Sequence, residues 1–396
     1  MYNFNQNNLC VLIDSDEISE VHLTKDVGEI PKTYCEVFDG SSSIFFWGNR
    51  KIQNYDERVK LNRVFPIWKL LRWVPSLYIR RSVSSLLMML IALPAIRKSK
   101  LLMIFHLQPQ WGFSLFFTRW MFPNTRIHLK MDISQLWLSE MREQEIQAPK
   151  YVKNNCARLL KLADIVSVET SDTFKLIQSR PLFGVDLDLR LILMPNGVST
   201  QMAQSVNSVS KEKRILTVGR LGTEQKNTEM LLEALASVEL KDWTIDLVGS
   251  LEPEFEKWLN NFLQVRPDLS RRIQLWGHLT NRDELSTIMA RSSVFCLTSR
   301  WEGSALVLLE ALAHGCALLS TEVGAAADLI RNRGTGLLIQ SGDVNALATA
   351  IQSIVDGEWN LVEMEKLARK LINDELRWPI ILKRMNSFWF PKRQRR

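Results

Sequence analysis

The sequence predicts an α/β protein with two doubly wound domains. Short apolar runs alternate with helical patterns along most of the chain, and this alternation indicates parallel sheets with right-handed crossovers. A polar segment without periodicity, residues 201–211, interrupts the alternation near the middle. A chain of 396 residues is also too long for one ordinary core. We therefore expect domains over residues 1–200 and 212–375, joined by this linker and facing each other across a cleft.

Apolar runs of strand length predict the elements of the N-terminal domain in order. Helical patterns between them cover residues 150–163 and 172–179. The predicted strands are residues 9–13, 43–47, 101–107, 126–131, 165–169 and 191–194.

The C-terminal domain shows a more regular series, in which predicted strands alternate with predicted helices. The strands are residues 215–218, 243–248, 273–276, 294–297 and 317–320. The helices are residues 227–238, 252–265, 282–290, 305–314, 325–331 and 344–355.

The net charge of +7 is distributed unevenly along the chain. Residues 1–40 contain eight acids and two lysines, so this segment is net negative. Residues 58–130 contain thirteen Lys and Arg residues and no Asp or Glu. A basic stretch without acids indicates an anionic partner, which is a membrane, a nucleic acid or a phosphorylated ligand.

Simple features exclude several classes of protein. The five cysteines are widely spaced and lack a CxxC pair, which argues against a disulfide scaffold or a structural zinc site. The first residues lack the basic-then-apolar order of a signal peptide. The most apolar run, residues 83–96, is too short to span a bilayer and contains Pro94. We therefore expect a protein that is soluble or attached to a surface.

The segment SRWEGSALVLLEALAHG, residues 299–315, is the richest in chemical signals. It follows a predicted strand and contains a glycine turn, after which Ser304 is a suitable N-cap for a helix that ends at Gly315. Ligands of open α/β sheets bind at the carboxyl ends of strands. The amides of Ser304, Ala305 and Leu306 at this helix start therefore predict an anion site suited to a diphosphate.

Two carboxylates in this segment, Glu302 and Glu310, admit two interpretations. Glu310 lies on a helix that is apolar nearly all round, where a carboxylate is costly without partners, and two ribose hydroxyls would supply them. Glu302 precedes the helix, where it could contact a sugar. Alternatively, Glu302 is solvated and Glu310 pairs with a neighbouring basic side chain.

The segment TVGRLGTEQKN, residues 217–227, places cations at another strand end. Gly219 and Gly222 loosen the turn, and Arg220 and Lys226 project from the loop that follows. Two cations opposite a helix-start anion site could clamp one diphosphate. On spacing alone, both side chains could equally be ordinary surface charges.

These motifs resemble the nucleotide-sugar-binding domain of retaining glycosyltransferases of family 4, of the bacterial polysaccharide-biosynthesis type, which have the GT-B fold. The resemblance covers residues 194–355. One departure is Ser304, where the family often has a larger apolar or aromatic residue, and this change is expected to alter the donor sugar's pocket. The motifs occur in the family's order: PNGV at 195–198, VGRL at 218–221, KN at 226–227, LVG at 247–249, Gly277, SRWEG at 299–303, EVG at 322–324 and GTGLL at 334–338.

The resemblance implies roles for the matching positions. Arg220 and Lys226 would hold the donor diphosphate, and Glu302 would contact the donor sugar or the reacting face. We take these three residues as the catalytic candidates. The other donor-binding candidates are Gly219, Gly303, Ser304, Ala305 and Leu306 around the diphosphate, Glu310 at the ribose, and His278 and Leu279 near the base.

The N-terminal half matches the family less well. The first predicted strand is followed by Ile13-Asp14-Ser15-Asp16 instead of the Gly-rich turn that members often have. Asp26 lies in the nearest candidate for an acceptor-side loop. Members often have a His in a mid-domain loop, for which His106 is one candidate, and Asp132 follows the next strand. The fold implied by the resemblance also returns its last helix, here residues 376–396, to the first domain, with a frayed tail from Lys392.

The activity implied is transfer of a hexosyl residue, with retention, from a nucleoside diphosphate sugar such as a UDP-sugar to a hydroxyl. No DxD-like pair lies in the motifs, so we expect no metal and no other cofactor. The basic stretch 58–130 contains Trp68, Trp73, Trp111 and Trp120, and cations that flank apolar and aromatic residues are typical of an interfacial helix on anionic lipid. A core helix with a basic solvated face is the other interpretation.

We therefore expect a lipid-linked saccharide acceptor, a role in capsule or lipopolysaccharide synthesis, and a cytoplasmic enzyme peripheral to the inner face of the membrane. The alternatives are a nucleotide-sugar epimerase of the same fold, which needs no acceptor, and a non-catalytic membrane-surface binding protein. A degenerate scaffold member is disfavoured by the intact Arg, Lys and Glu set. A nucleic-acid binder is disfavoured because no such motif is present and the basic stretch is too apolar.

Overall fold

The chain forms two units in a computed structural model that describes residues 7–14, 18, 20–48, 56–204 and 209–391. The N-terminal unit comprises Met1–Asn196 with Trp378–Arg396, and the C-terminal unit comprises Gly197–Arg377. The expectations for Ser15, Asp16 and the tail from Lys392 fall outside the described residues.

In the described part of the N-terminal unit, seven strands form one parallel sheet in the order β3-β2-β1-β4-β5-β6-β7. The order changes direction between β1 and β4, and such a switch point is where open α/β sheets bind ligands. The strands are β1 (Leu9–Ile13), β2 (Ser42–Trp47), β3 (Val59–Val64), β4 (Leu101–Phe105), β5 (Arg126–Lys130), β6 (Ile165–Val168) and β7 (Leu191–Leu193).

Helices cover both faces of this sheet, so its central strands are buried on both sides and read as continuous apolar runs. All five cysteines of the chain are buried thiols. The helices before residue 200 are α1 (Glu20–Leu23), α2 (Asp26–Phe38), α3 (Leu77–Lys98), α4 (Trp111–Met121), α5 (Gln135–Gln147), α6 (Lys150–Leu162) and α7 (Ser171–Ser179).

Helix α3 is longer than the apolar run that the sequence suggested. It has 22 residues, and an 18-residue window within it has a mean hydropathy of 1.5, so by length and composition alone it could cross a membrane, as no other described helix could. The helix thus extends beyond the run of residues 83–96, and the expectation that this run does not span a bilayer stays a prediction. One side of α3 nevertheless lies in the core of the sheet, where Met88, Met89, Ala92 and Ile96 are buried. The helix is thus a crossover connection whose opposite side carries exposed apolar residues.

The basic stretch 58–130 is only partly available to a partner. Acids from outside the stretch take up several of its cations: Arg119 and Arg126 contact Asp164 at 2.5 and 3.3 Å, and Lys130 is buried between two carboxylates.

The four tryptophans of the basic stretch differ in exposure. Trp68 and Trp111 are buried in the core, whereas Trp73 is 79% and Trp120 is 76% exposed. Two of the four expected surface tryptophans are therefore structural.

The C-terminal unit contains a second parallel sheet, of six strands among the described residues, in the order β10-β9-β8-β11-β12-β13. Here the order changes direction between β8 and β11. The strands are β8 (Glu212–Val218), β9 (Thr244–Val248), β10 (Ile273–Gly277), β11 (Ser292–Leu297), β12 (Ala317–Thr321) and β13 (Gly336–Ile339).

The helices of this unit pack on both faces of its sheet. Thr200–Gln204 is helical although the sequence suggested a linker over 201–211, and residues 205–208 lie outside the described part. The boundary between the units falls at 196/197, before that segment. The helices are α8 (Thr200–Gln204), α9 (Thr228–Leu235), α10 (Pro253–Val265), α11 (Pro267–Ser270), α12 (Arg282–Arg291), α13 (Leu306–Ala313), α14 (Ala326–Ile330), α15 (Val344–Val355) and α16 (Leu361–Leu371).

The last described helix, α17 (Trp378–Trp389), belongs to the N-terminal unit and packs on α2. Its Trp389 ring lies 5.8 Å from that of Tyr34 on α2. The indole Nε1 of Trp389 donates a hydrogen bond to His128 Nδ1 at 3.1 Å, and His128 Nε2 lies 2.8 Å from the Ser167 hydroxyl. A neutral imidazole satisfies both contacts, and burial lowers the pKa of His128 to about 3.

Candidate active site

The candidate donor site lies where β8 and β11 end, at the switch point of the C-terminal sheet. The loop after β8 and the loop after β11 bond to each other along their backbones. Arg300 N donates to Gln225 O at 2.8 Å, and the Thr298 hydroxyl donates to Lys226 O at 3.0 Å. The two motifs that the sequence singled out 70 residues or more apart are therefore neighbours.

Lys226 and Glu302 form a close ion pair at the centre of this site. Lys226 Nζ lies 2.5 Å from Glu302 Oε1, and the Ser299 hydroxyl donates to the same oxygen at 2.7 Å. Gln225 Nε2 lies 3.5 Å from Glu302 Oε2, while its Oε1 accepts from Arg220 Nη2 at 3.1 Å. The three catalytic candidates are therefore linked through one network in which Glu302 is buried and Arg220 is exposed.

Close backbone approach at this edge depends on glycine at two positions. A Cβ atom on Gly219 would stand 3.1 to 3.5 Å from the side-chain carbons of Lys226, so the glycine leaves room for the lysine stem. Gly324, after β12, has a φ of +53°, and a Cβ there would lie 2.6 Å from the carbonyl oxygen of Gly303. These glycines allow three loops to meet around the ion pair.

The start of α13 differs from the expected geometry. Ala305, with a φ of 52°, occupies the N-cap position in place of Ser304, and the helix begins at Leu306. The expectation of a Ser304 cap is therefore wrong, because the chain turns through a left-handed residue first. The Ser304 hydroxyl is buried and accepts or donates no hydrogen bond within the described residues. The helix start still presents unpaired amides, and this buried hydroxyl adds a polar group beside them.

Glu310 lies on α13 in a less apolar setting than the sequence suggested. Leu306, Val307 and Glu310 form a half-exposed strip, while the leucines on the other side of the helix are buried. Glu310 Oε1 lies 3.1 Å from Arg282 Nη2. The alternative in which Glu310 pairs with a basic side chain therefore describes this structure.

His278 and Leu279 are not brought to the ion pair. They follow Gly277 at the end of β10, whose carbonyl accepts a hydrogen bond from Gly249 N at 2.8 Å. They therefore lie at the same carboxyl edge of the sheet, although within the described residues neither is hydrogen-bonded to a member of the ion pair. His278 is exposed, and Leu279 packs against the core cluster that contains α13. Their role near a base stays a prediction.

The acceptor-side candidates come together at the carboxyl edge of the N-terminal sheet. His106 follows β4, Asp132 follows β5, and Asp26 opens α2. The residue that joins them is Lys130, the last residue of β5, which contacts Asp26 Oδ2 at 2.8 Å and Glu169 Oε1 at 2.6 Å. Neither Lys130 nor Glu169 was among the site residues predicted from the sequence. A charged residue at the end of a buried strand was the signal for both.

No group of three or more His, Cys, Asp or Glu side chains with metal-binding geometry occurs among the described residues. The polar groups of the C-terminal site are instead two cations, a carboxylate, a buried hydroxyl and a helix start. This set suits a phosphate-bearing ligand held by charge and amides.

Solved structures identify the architecture as the GT-B fold of glycosyltransferases. The apo form of the lipopolysaccharide outer core galactosyltransferase WaaB superposes with a TM-score of 0.70 at 15% identity, over 97% of this chain and 99% of that chain. Anabaena HepE in complex with UDP superposes with a TM-score of 0.69 at 14% identity, over 96% of this chain and 98% of that one. The expected fold class is confirmed.

Residues 212–356 match the model of the family described as glycosyl transferases group 1, so the expected resemblance is confirmed for the C-terminal unit. A curated relative, the UDP-Gal:alpha-D-GlcNAc-diphosphoundecaprenol alpha-1,3-galactosyltransferase of Escherichia coli, is 26% identical over 200 residues. The match covers 47% of this chain and 50% of the relative. The chain thus spans about half the length of the curated relatives it matches.

Proposed function

We propose that the protein is a retaining hexosyltransferase that moves a sugar from a nucleoside diphosphate donor to a hydroxyl of a lipid-linked saccharide, in cell-surface polysaccharide synthesis. The observation that carries this proposal is the Lys226–Glu302 ion pair beside the start of α13 and the unpaired Ser304 hydroxyl. The family of residues 212–356 supports the reaction class. The name of the Escherichia coli relative supports a uridine donor and a diphosphoundecaprenol-linked acceptor.

The donor diphosphate binds between the cations and the helix start. Lys226 and Arg220 approach its oxygens from the loop after β8, and the first amides of α13 with the Ser304 hydroxyl approach from the loop after β11. Ribose hydroxyls of the donor replace Arg282 as partners of Glu310. The nucleoside diphosphate is thereby held at three points of one sheet edge.

Rate acceleration comes from stabilising the charge that develops on the leaving diphosphate. Preorganised cations and amides stabilise such charge without reorganisation. Glu302 holds Lys226 at 2.5 Å, which fixes the position of the ammonium for the donor. The acceptor hydroxyl attacks the face that the leaving group vacates, and the diphosphate takes its proton. No metal is needed for this charge neutralisation, so chelation with EDTA should leave turnover unchanged.

The acceptor binds to the N-terminal unit, at the edge that carries His106, Asp132 and Asp26. The lipid portion of the acceptor lies in the membrane, and the basic stretch binds the surface of that membrane. Helices α3 and α4 pack together, and α4 exposes Phe113, Phe116 and Trp120. The stretch retains exposed cations and no acid of its own, so its charge complements anionic lipid. The enzyme is accordingly cytoplasmic and peripheral on the inner face of the membrane.

The test of the donor site uses purified protein and a panel of nucleotide sugars, with thermal shifts to find the donor. Transfer to an undecaprenyl-diphosphate-linked saccharide is then followed by mass spectrometry, and anomeric configuration by NMR. A new glycosidic bond with retained configuration supports the proposal. Conversion of the donor to its epimer without acceptor would identify an epimerase instead. A donor that binds while neither product forms would contradict both enzyme activities.

The test of the membrane surface is co-sedimentation with vesicles. Binding should require anionic lipid, weaken with salt, and fall when Trp73 and Trp120 are both replaced by Ser. The matched control is Val362→Ser, which removes an equally exposed apolar side chain from the C-terminal unit. Equal recovery with neutral vesicles, or equal loss in the control, contradicts this surface.

A further inference from the structure

A buried charge cluster lies beneath the acceptor-side edge of the N-terminal sheet. Lys130 is fully buried, and its ammonium contacts Asp26 at 2.8 Å and Glu169 at 2.6 Å. These three residues come from β5, the start of α2 and the residue after β6. Burying an ion cluster costs desolvation energy that the attraction often fails to repay, and apolar side chains would join the same elements as well. Stability therefore does not account for the cluster.

Two backbone amides, that of His106 and that of the residue after Asp132, donate hydrogen bonds to residues of the cluster. The backbone carbonyl of Lys130 accepts a hydrogen bond from His106 N at 2.8 Å. The second carboxylate oxygen of Glu169 accepts from Ile133 N at 3.3 Å, one residue beyond Asp132. The loop that carries Asp132 is thus tied to Glu169, and His106 is tied to Lys130.

His106 and Asp132 both have strained backbones. Their φ angles are 66° and 45°, in the left-handed region that residues with a Cβ atom rarely adopt. Such conformations persist only where the surrounding contacts determine them, and they concentrate at functional sites. His106 is bonded to the backbone of Lys130, and Asp132 precedes the amide that Glu169 holds, so the cluster lies where it can set the orientation of both residues.

We propose that Lys130 and Glu169 are positioning residues that hold His106 and Asp132 in their left-handed conformations for contact with the acceptor hydroxyl. This inference rests on the proposed function. It assigns no contact with substrate to Lys130 or Glu169, which are both buried. Asp26 completes the cluster by holding the ammonium from the side of α2.

The ionisation of the cluster gives the positioning role a pH dependence. Burial raises the pKa of Glu169 to about 7, although the Lys130 ammonium opposes this shift; Asp132 and Asp26 are the other charged groups that act on it. The carboxylates keep Lys130 charged by raising its pKa despite burial. Above about pH 7, Glu169 is ionised and binds both Lys130 and the Ile133 amide. Below it, the protonated carboxyl binds both less strongly.

The experiment measures acceptor kcat/KM against pH for the wild-type chain and for Glu169→Gln, with a saturating donor. The amide resembles the protonated carboxyl, so the variant should be about 10-fold slower than wild type at pH 8 and nearly equal at pH 6. The wild-type inflection near pH 7 should be absent in the variant. UDP affinity should be the same in both proteins, because the nucleotide site lies in the other unit.

The matched control is Asp164→Asn, at the opposite edge of the same sheet. Like Glu169, Asp164 binds cationic side chains and accepts a hydrogen bond from a backbone amide, that of Ile127 at 2.8 Å. Unlike Glu169, it does not hold a loop in which any described residue has a positive φ. This variant should be less stable than wild type but retain the pH profile. Lys130→Met should also lower kcat/KM for the acceptor. Its melting temperature and its UDP affinity show whether the protein is folded and whether the donor site is intact.

The outcomes separate this inference from the proposed function. An unchanged pH profile in a folded Glu169→Gln protein overturns the positioning role while transfer itself stands. A loss that is the same at pH 6 and pH 8, or that Asp164→Asn reproduces, also overturns it. Absence of sugar transfer by the wild-type chain overturns the proposed function, and this inference with it.

Discussion

Replacing Glu310 by Gln tests the donor site with little effect on the fold. Glu310 pairs with Arg282 at 3.1 Å, but its side chain is 20% exposed and that of Arg282 is 52% exposed. Ion pairs of this kind contribute about 0–1 kcal/mol, so the free energy of unfolding should change by less than about 1 kcal/mol.

The effect on nucleotide binding should be much larger than the effect on stability. If the carboxylate accepts hydrogen bonds from two ribose hydroxyls, each charge-assisted bond contributes about 1.5–3 kcal/mol. Gln keeps one acceptor oxygen, so we expect a loss of about 10- to 100-fold in UDP affinity. Isothermal titration calorimetry with UDP, together with a thermal melt, measures both quantities on the same sample.

Arg282→Gln is the control, because it breaks the same ion pair and leaves the carboxylate in place. UDP affinity should be unchanged or higher in this variant, since the ribose no longer competes with the guanidinium. The reasoning fails if Glu310→Gln binds UDP as tightly as wild type, or if Arg282→Gln loses the same affinity.

Three further predictions concern other groups. Lys226→Met should lower transfer by about 100-fold or more, because the leaving diphosphate loses its nearest cation, whereas the exposed Lys213→Met control should transfer normally in the same assay. Gly222→Ala should lower the free energy of unfolding of the C-terminal unit by about 2–4 kcal/mol, because the glycine has a φ of +81° and an added Cβ would stand 2.0 Å from Phe255. An unchanged midpoint in urea unfolding would refute this. Burial lowers the pKa of His128 from 6.5 to about 3, so the unfolded chain binds a proton that the folded unit does not, and stability falls as the pH drops below 6.5. In His128→Gln the free energy of unfolding should therefore fall less steeply with decreasing pH, by about 1.4 kcal/mol per pH unit. Equal dependence of the unfolding free energy on pH in both proteins, measured by urea titration, would contradict this.

The sequence predicted most strands because their residues are buried on both faces. Strands β3 and β13 were missed since each is an edge strand whose residues are mostly polar or part-exposed. Helix α16 was not predicted although one face is apolar. Helices α2, α4 and α5 were not predicted either, although α2 and α4 pack buried residues into the N-terminal unit.

The site was predicted as a set of residues but not as a network. The family motifs supplied Lys226 and Glu302, yet their mutual ion pair joins positions 76 residues apart and depends on how two loops pack. The Ser304 cap was wrong because backbone dihedrals, and not residue preference, decide where a helix begins. Glu169 escaped notice because the significance of a buried acid depends on which cation the fold places beside it.

The position of α17 has a consequence for how the protein is made. Trp378, Ile381, Met385 and Trp389 are buried in the same core cluster as residues of β1, a strand that is synthesised long before α17. The C-terminal unit is continuous in sequence and can complete its core earlier in translation. The N-terminal unit cannot complete its core until α17 has emerged from the ribosome. The half that is synthesised first is therefore the half that finishes folding last, and in the interval its apolar surface depends on chaperones or on slow elongation for protection.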